Sequence, residues 1–450
     1  MSASPNAATA PRPSDRGLAA ALLPIAFALA AVLAPCRASA GDSAGALQTS
    51  PAAADTGLDL ALGRALFEFT WVSAPASVKS ADGLGPLYNA RSCASCHTVT
   101  RRQPADASGQ GIASAIIAKF IGAGDPTYGA QLQTAAVHSL PAEGRLQIDY
   151  QEIPVPLADG RVIQLRKPSY RITDLGYGPL DPATVLSPRV PPSLAGVGLL
   201  EQIDAADILA QADAEKADGD GISGQPSRPP ECAGRPGCIG RFGWKAATTT
   251  IDDQDTLAFR LDIGMSTPSR PTPWGDCTPR ESACVRAPHG ADAAAGESEI
   301  APQLLALLDG YVRAGPAPAR EGPGSAPAAS GADVFAAVGC TTCHRPRYII
   351  AAADGGSQGI APYSDLLLHD LGDGLRDAAG VAGDWRTAPL WGLGALDRAA
   401  GPKAYLHDGR ARSLEEAILW HGGEATQVIA AAKALTTAQW NALLAFLRSL

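Results

Sequence analysis

The sequence predicts a mainly α-helical fold made of two related domains. Helical signals cluster near the C-terminus, where apolar residues recur at helical spacing after two N-capping patterns, Ser413 with Glu416 and Thr436 with Gln439. A Cys-x-x-Cys-His motif occurs twice, once in each half. Residues 314–331 are almost all Ala, Pro, Gly and Ser, and they predict a linker because they offer few side chains for a core.

The first 40 residues predict a secretory signal peptide. Arg12 and Arg16 precede an uncharged run at 17–34, and residues 38–40 are small enough for signal-peptidase cleavage. The alternative is a retained single-span anchor, which the length of the run allows and Pro24 opposes. We therefore expect a periplasmic protein with no integral membrane span after cleavage.

Cleavage leaves an N-terminal domain at 41–313, the linker at 314–331 and a C-terminal domain at 332–450. The stretches RLQIDYQEIPVPL (145–157) and RVIQLRKPSYRI (161–172) alternate between apolar and polar residues, which favours hairpins or extended arms. We expect two similar helical domains, the first enlarged by irregular and short β insertions.

The charge balance is acidic. The formal net charge is −9, and loss of residues 1–40, which carry a net charge of +2, takes it to −11. Nucleic acid is therefore not expected as a partner. A small redox protein with a basic surface, such as a cytochrome or a cupredoxin, or a small-molecule substrate fits better.

Of the nine cysteines, four lie outside both the signal segment and the two motifs. An even remainder in an exported protein predicts disulfides. We favour Cys232 with Cys238 and Cys277 with Cys284, because these pairs close short local loops. A structural zinc site is the alternative, although the spacings fit common zinc ligand sets poorly.

The two motifs predict two covalently bound haem c groups. In each motif the thiols add to the vinyl groups of one porphyrin, and the adjacent histidine binds the iron. The attachment residues are Cys93, Cys96, Cys340 and Cys343, and the proximal ligands are His97 and His344. A thioredoxin-like dithiol is the alternative for one such motif. That interpretation leaves the histidine unexplained, and it requires a βαβ context.

The opposite face of each haem decides the function, because a six-coordinate iron transfers electrons whereas an open position allows oxygen or peroxide chemistry. Beyond the proximal ligands, the candidates after residue 40 are His138, His289, His369, His407, His421 and Met265. Met265 is more typical of a core residue.

The C-terminal part resembles bacterial di-haem cytochrome c peroxidases and the related enzymes that mature methylamine dehydrogenase. The resemblance rests on YLHDGRARSLEEAILWHGGEA (405–425), YSDLLLHDLG (363–372) and WRTAPLWGL (385–393). His421 falls where those families have Met or Tyr, so the resemblance implies that it is the sixth ligand of a bis-His haem. The alternative is a helix-end histidine held by the helix dipole. His369 and His407 are then expected near haem propionates or water, or as ordinary hydrogen-bonded residues.

The N-terminal part resembles the di-haem oxidoreductases also called peroxidase-like proteins or thiol oxidoreductases. The matching stretches are GLGPLYNARSCASCH (83–97), residues 177–203, residues 217–224 and GRFGWKA (240–246). The resemblance implies that Trp244 lies between the haems as an electron bridge and that Phe259 covers the reactive iron. An ordinary buried indole is the alternative for Trp244.

A calcium site is the last candidate. Asp213, Asp218 and Asp220 lie in a glycine-rich turn that looks like half of a calcium loop, although Lys216 occupies its first ligand position. A solvated acidic turn is the alternative.

Together these features predict a periplasmic, peroxidase-like di-haem oxidoreductase. Peroxide or O2 would react at the N-terminal haem, which lacks an evident sixth ligand, and the bis-His haem would relay electrons. A non-catalytic electron carrier would instead have two six-coordinate irons. An oxygenase resembling rubber oxygenases would have an open iron beside an apolar pocket and little peroxidase turnover.

Overall fold

Short helices and two-stranded antiparallel sheets alternate along the chain. The computed structural model describes residues 57–97, 116–212, 221–291, 298–352, 354–378, 383–399 and 403–450. These described residues belong to one compact unit that spans 43–450.

Eleven α-helices form within the described residues. Those of the N-terminal half are α1 (Gly57–Glu68), α2 (Val197–Glu201), α3 (Ala205–Leu209), α4 (Ile251–Ala258), α5 (Ser282–Val285) and α6 (Pro302–Ala314). A π-helical turn, Phe259–Ile263, continues α4. Those of the C-terminal half are α7 (Ala326–Ala337), α8 (Leu393–Arg398), α9 (Leu414–Trp420), α10 (Thr426–Lys433) and α11 (Thr437–Ser449).

The strands pair into small sheets. They are β1 (Leu87–Tyr88), β2 (Ile117–Phe120), β3 (Ala135–Ala136), β4 (Arg145–Pro156), β5 (Val162–Thr173), β6 (Leu186–Arg189), β7 (Tyr348–Ala351), β8 (Ser357–Ile360), β9 (Leu368–His369) and β10 (Trp385–Arg386). The pairs are β1 with β3, β2 with β6, β4 with β5, β7 with β8 and β9 with β10, all antiparallel.

The expectation of a mainly helical fold is wrong. Helix accounts for 32% and strand for 18% of the residues. The predicted extended arms are one long hairpin in which β4 and β5, of 12 residues each, pair along their whole length. In addition, each Cys-x-x-Cys-His motif begins with a three-residue 3₁₀ turn and not with a long helix.

Two separate cytochrome c-like domains are not seen either, because the halves share their hydrophobic cores. One core combines Phe259 and Leu199 of the N-terminal half with Tyr348 and Ile350 of β7. Burying each such side chain contributes about 2 kcal/mol. Each half would lose this contribution without the other, because the side chains that bury it come from both halves.

A second core lies in the C-terminal half, between α7, α9, α10 and α11. Leu157 and Leu165 of the hairpin are buried in this core. Arg166 of β5 donates hydrogen bonds to the carbonyls of Gly409 and Arg410 at 3.2 Å. The hairpin therefore reaches out of the N-terminal half and completes the C-terminal core.

The C-terminal boundary of the predicted linker is corrected, since α7 begins at Ala326. The small residues serve close packing here: a Cβ on Gly331 would lie 1.9 Å from the carbonyl oxygen of Ala442 in α11. Glycine allows α7 and α11 to approach this closely.

Both predicted N-caps form. Thr436 and Gln439 make a complete capping box, which confirms that prediction. The Ser413 hydroxyl accepts the Glu416 N–H at 3.1 Å, but the Glu416 carboxylate accepts the N–H of Arg412, one residue earlier, at 3.0 Å. A side-chain bond from Arg412 to Glu416 at 2.7 Å explains this shift. None of the helices in the described part of the chain is both long and apolar enough to cross a bilayer.

Candidate functional site

A cavity of about 650 Å³ is lined by both Cys-x-x-Cys-His motifs. Its walls combine mostly apolar side chains from the two halves of the chain. Five of the seven histidines line it: His97, His344, His369, His407 and His421. The fold therefore brings both predicted haem attachment sites to one space.

The N-terminal motif curls into a single turn. The Ser92 hydroxyl accepts the Ser95 N–H at 3.1 Å, and the His97 N–H donates to the Cys93 carbonyl at 2.9 Å. Nδ1 of His97 lies 3.0 Å from the Pro192 carbonyl oxygen. Donation there fixes the tautomer and leaves Nε2 to bind a metal. Burial lowers the pKa of His97, which favours the neutral form that a metal requires.

The C-terminal motif has the same arrangement. The His344 N–H donates to the Cys340 carbonyl at 2.9 Å, and Nδ1 of His344 lies 2.9 Å from the Tyr363 carbonyl oxygen. Burial lowers the pKa of His344 to about 4. This imidazole is therefore neutral, with Nε2 available as a ligand atom.

His421 is oriented in a related way at the C-terminal end of α9. Its Nδ1 lies 2.8 Å from the Ala417 carbonyl oxygen, one helical turn earlier, so Nε2 is left to bind a metal. Burial lowers the pKa of His421, and the charge of protonated His421 lowers that of His344. The two imidazoles thus lie within electrostatic reach of each other in one cavity.

Three aromatic rings form a continuous group, which we call the aromatic stack. The His407 ring lies flat on Trp385, with centroids 3.6 Å apart at 14°, and Trp244 meets His407 edge-on at 6.4 Å. Lys245 Nζ lies 3.5 Å from the Trp385 ring centroid. Burial lowers the pKa of His407 to about 3, so its ring is neutral.

The aromatic stack is tied to the N-terminal motif by a short extended segment, residues 190–192. The Val190 carbonyl accepts the Trp244 indole N–H at 2.8 Å, and the Val190 N–H donates to the His407 carbonyl at 2.7 Å. Pro192 of the same segment accepts the bond from His97. Three backbone groups of this segment therefore hold the ring of His97, the indole of Trp244 and the backbone of His407.

The other end of the stack is tied to the C-terminal motif. Trp385 pairs with His369 in the ladder of β9 and β10, and His369 Nδ1 lies 3.7 Å from Cys343 Sγ. Trp244 and Trp385 are also linked through the backbone, since the Arg386 N–H donates to the Trp244 carbonyl at 3.0 Å. A contiguous set of contacts thus runs from one motif to the other.

His369 is held between two carboxylates, an arrangement we call the histidine clamp. Nε2 lies 2.8 Å from Asp365 and Nδ1 lies 2.8 Å from Glu424. Burial alone would lower the pKa of His369, but the hydrogen bonds with Asp365, Cys343 and Glu424 raise it to about 12. The ring is therefore an imidazolium.

Cys343, Asp365 and His369 place their ligand atoms within 4.8 Å of one another, close enough to share a metal ion. A metal-binding histidine needs one unprotonated nitrogen. Both nitrogens of His369 already face carboxylates, which favours the histidine clamp as an ion pair.

The remaining predicted residues divide into those that line the cavity and those that do not. Phe259 lines it at the start of the π-helical turn, with its ring edge-on to Trp71. Met265 is fully buried in the core and is not among the lining residues. His138 is exposed and His289 is half-buried, both away from the cavity.

The described part of the chain contains two disulfides, Cys232–Cys238 and Cys277–Cys284, which are the pairs that the short loops favour. The four motif cysteines are free, and burial raises the pKa of each thiol. The calcium candidates Asp213, Asp218 and Asp220 lie outside the described residues.

Sequence reasoning assigned no role to several lining residues. Three cations that line the cavity have neutral hydrogen-bond acceptors: Arg386 is buried, and Arg241 and Lys119 are half-buried. Arg386 donates to the carbonyls of Gly243 and Thr387, Arg241 to three carbonyls at the end of α2, and Lys119 to the Gln131 side chain. The only sequence signal was that Arg386 and Arg241 stand in the stretches that carry the family resemblance.

These residues fit haem. These cations donate to neutral acceptors, and the propionate groups of haem would supply charged partners for them. The apolar walls suit a porphyrin, and the neutral histidines with Nε2 available suit its iron.

A cavity with two such motifs and with histidines whose Nε2 atoms are available is typical of a protein that binds two haems. The family described as "di-haem oxidoreductase, putative peroxidase" matches residues 130–450. The chain belongs to this family, which confirms the resemblance. The match includes the second motif and His421 and begins after the first motif. Searches of curated proteins and of solved structures gave no match.

The histidine clamp gives a stability prediction for Glu424→Gln. Burial alone would raise the pKa of Glu424, but hydrogen bonds from His369 and Ser223 lower it to about 2. Removing this carboxylate leaves a buried imidazolium half-paired, so the free energy of unfolding at pH 7 should fall by about 3 kcal/mol. Chemical denaturation of the haem-loaded protein measures this loss.

The pH dependence has a definite sign. A carboxylate with a lowered pKa stabilises the fold above its usual pKa of 4.5, and this contribution disappears as the pH falls towards 2. The difference between wild type and Glu424→Gln should shrink over the same window. Glu68→Gln, which removes an exposed ion pair with Arg64, is the control and should leave the free energy of unfolding nearly unchanged. A difference for Glu424→Gln that stays constant down to pH 2 would contradict the clamp.

Proposed function

We propose that the protein is an exported di-haem c-type oxidoreductase with peroxidase-like activity. In this proposal peroxide or O2 reacts at the haem held by Cys93, Cys96 and His97, and the haem held by Cys340, Cys343 and His344 relays electrons. Membership of the di-haem oxidoreductase family supports the general class. Haem iron supplies the redox chemistry when it is bound.

One observation supports the assignment of different roles to the two motifs, peroxide or O2 reaction at the first and electron relay at the second. His421 has the same backbone-held Nδ1 as the proximal histidines, and its charge influences His344. The other two histidines that line the cavity are engaged, His369 in the histidine clamp and His407 against Trp385. Within the described residues, the N-terminal motif therefore has no equivalent of His421.

The side chains around the cavity have distinct tasks in this proposal. His97, His344 and His421 bind iron, and the backbone carbonyls of Pro192, Tyr363 and Ala417 orient their rings. Phe259 and the other apolar residues exclude water around the reactive position. Arg241 and Arg386 bind propionates.

The spin states of the two irons test the proposal. Low-temperature EPR of the oxidised, haem-loaded protein should give one high-spin signal and one low-spin bis-His signal, and hydrogen peroxide should alter only the former. His421→Ala should convert the low-spin signal to high-spin, because it removes one strong ligand. His407→Gln, in the same cavity, is the control and should leave the low-spin signal in place.

Other results would favour the other functions. Two low-spin signals that ignore peroxide, also after half-reduction, would indicate an electron carrier. A high-spin signal that ignores peroxide, together with oxygen uptake that depends on an organic substrate, would indicate an oxygenase.

The aromatic stack is proposed as the path for electrons between the haems. It links the segment that holds His97 to the strand pair beside Cys343 through Trp244, His407 and Trp385. The Lys245 ammonium over Trp385 disfavours a positive charge on the indole, so the ring is expected to conduct without itself becoming oxidised.

Trp244→Phe and Trp385→Leu should both slow inter-haem electron transfer, because each interrupts the contacts of the stack. We expect a reduction of about tenfold or more in the rate measured by stopped-flow absorbance after rapid half-reduction, equivalent to about 1.4 kcal/mol in the barrier. Trp391→Phe is the matched control, since Trp391 lines the cavity outside the stack. If inter-haem electron transfer in Trp244→Phe and Trp385→Leu is as fast as in wild type and in the Trp391→Phe control, with both haems intact, this path is excluded.

Export and the electron donor are also part of the proposal. Two disulfides support an oxidising compartment. The charge of −11 beyond residue 40 supports a small cytochrome or cupredoxin with a basic surface as donor. Reduction by such a donor should slow as ionic strength rises, and a rate independent of salt would argue against charge-guided docking. Mass analysis of the periplasmic protein should place its N-terminus near residue 41.

A further inference from the structure

A pair of buried carboxyl groups lies at the wall of the cavity. Asp255, in the last turn of α4, lines the cavity together with Cys93 and Cys96. Burial first, and then the negative charge of Asp255, raises the pKa of the Cys93 thiol, which places this carboxyl close to the N-terminal motif.

The partner of Asp255 is Asp309 in α6. The two side chains lie within hydrogen-bonding distance. Asp309 is only 5% exposed. Asp255 Oδ2 and Asp309 Oδ1 are both buried and have no hydrogen-bond donor among the described residues. Two ionised carboxylates in this arrangement would repel each other without compensation, so the pair retains a proton.

The charges around the pair preserve that proton. On α4, Asp252 also lies near Asp309 and adds negative charge. On α6, Arg313 binds Asp252 at 2.5 Å and Glu201 at 2.6 Å, so its positive charge is directed to these two carboxylates. Burial, Asp309 and Asp252 raise the pKa of Asp255 although Arg313 opposes them. Burial and Asp252 raise the pKa of Asp309 to about 6, against the hydrogen bond with Asp255 and the charge of Arg313.

Asp262 also lines the cavity near this motif, but its environment differs. The Gln131 side-chain amide donates to Asp262 Oδ1 at 2.9 Å. Asp262 is therefore suited to accept hydrogen bonds, whereas the Asp255–Asp309 pair is suited to supply a proton.

We propose that Asp255 is the proton donor for cleavage of the peroxide O–O bond, and that Asp309 is the positioning residue that keeps it protonated. In the overall reaction hydrogen peroxide takes up two electrons and two protons and becomes two molecules of water. Asp255 gives its proton to the oxygen that leaves when the O–O bond breaks, and this oxygen departs as water. One proton from solvent recharges the pair, and a second proton from solvent, with two electrons from the small redox donor, converts the retained oxygen to water.

This assignment deepens the proposed function and rests on it. It adds the residue that handles the proton, for which the sequence shows no motif. Since a donor carboxyl contributes about a hundred- to ten-thousandfold to proton-coupled steps, its removal should be measurable.

The first measurement concerns the proton itself. Infrared difference spectra of the haem-loaded protein in H2O and D2O detect the carbonyl band of a protonated carboxyl group. We expect this band to lose intensity in both Asp255→Asn and Asp309→Asn. Asp253→Asn, on the same helix but paired with Arg270 at 3.9 Å outside the cavity lining, is the matched control and should keep it. A spectrum unchanged by both pair variants would overturn the shared proton.

The second measurement is the rate of the peroxide reaction by stopped-flow absorbance across pH. Asp255→Asn should slow it by about a hundredfold or more, with the EPR signals of the resting protein unchanged. Asp309→Asn should keep a fast reaction only over a shifted pH range, a change that a merely structural residue would not cause. Asp253→Asn should behave as wild type.

The outcomes separate the two proposals. If wild type reacts with peroxide and Asp255→Asn reacts equally fast, only the assignment of Asp255 fails. If Asp262→Asn causes the loss instead, the donor is Asp262 and the inference is also overturned. If wild type ignores peroxide in every redox state, the proposed function fails and the role of Asp255 fails with it.

Discussion

The segment at residues 190–192 is the constraint on which the site depends. It offers three backbone groups: the Pro192 carbonyl holds the ring of His97, the Val190 carbonyl holds the indole of Trp244, and the Val190 N–H binds the backbone of His407. Since His407 lies in the C-terminal half, this segment sets both halves in register around the cavity. Backbone hydrogen bonds suit this task because they fix orientation and do not titrate.

The two halves of the chain also contribute side chains to each other's hydrophobic cores. The N-terminal half contributes Leu157 and Leu165 to the C-terminal core, and the C-terminal half returns Tyr348 and Ile350. A cavity at such a junction can draw its walls from both halves. Both Cys-x-x-Cys-His motifs therefore line one cavity, although they lie far apart in sequence.

Much of the site was readable from sequence because its chemistry requires fixed local spacing. The Cys-x-x-Cys-His motifs, the terminal position of His421 and the hairpin at 145–173 all depend on neighbouring residues. The overall class was not readable: the hairpin accounts for much of the strand content, yet its alternation was read as an insertion in a helical fold. The linker was misjudged at Gly331, where small residues permit close helix packing.

The residues that sequence missed act through distant partners. Glu424 matters because Ser223 and His369 hold it, and Asp255 because α6 brings Asp309 beside it. Trp385 gains its place from stacking on His407. None of these partners stands at a helical or strand spacing from the residue it affects, so no periodic pattern could reveal the pairing.

The hairpin also sets the order in which the chain can fold. Arg166 bonds the carbonyl of Gly409 across a separation of 243 residues. Contacts between such remote parts of a chain form late, because a long loop must close before they contribute stability. The C-terminal core therefore cannot be completed while the last residues are still being synthesised. Until then the apolar face of the hairpin stays exposed. The unfinished chain therefore avoids aggregation only if chaperones bind it or if folding is fast.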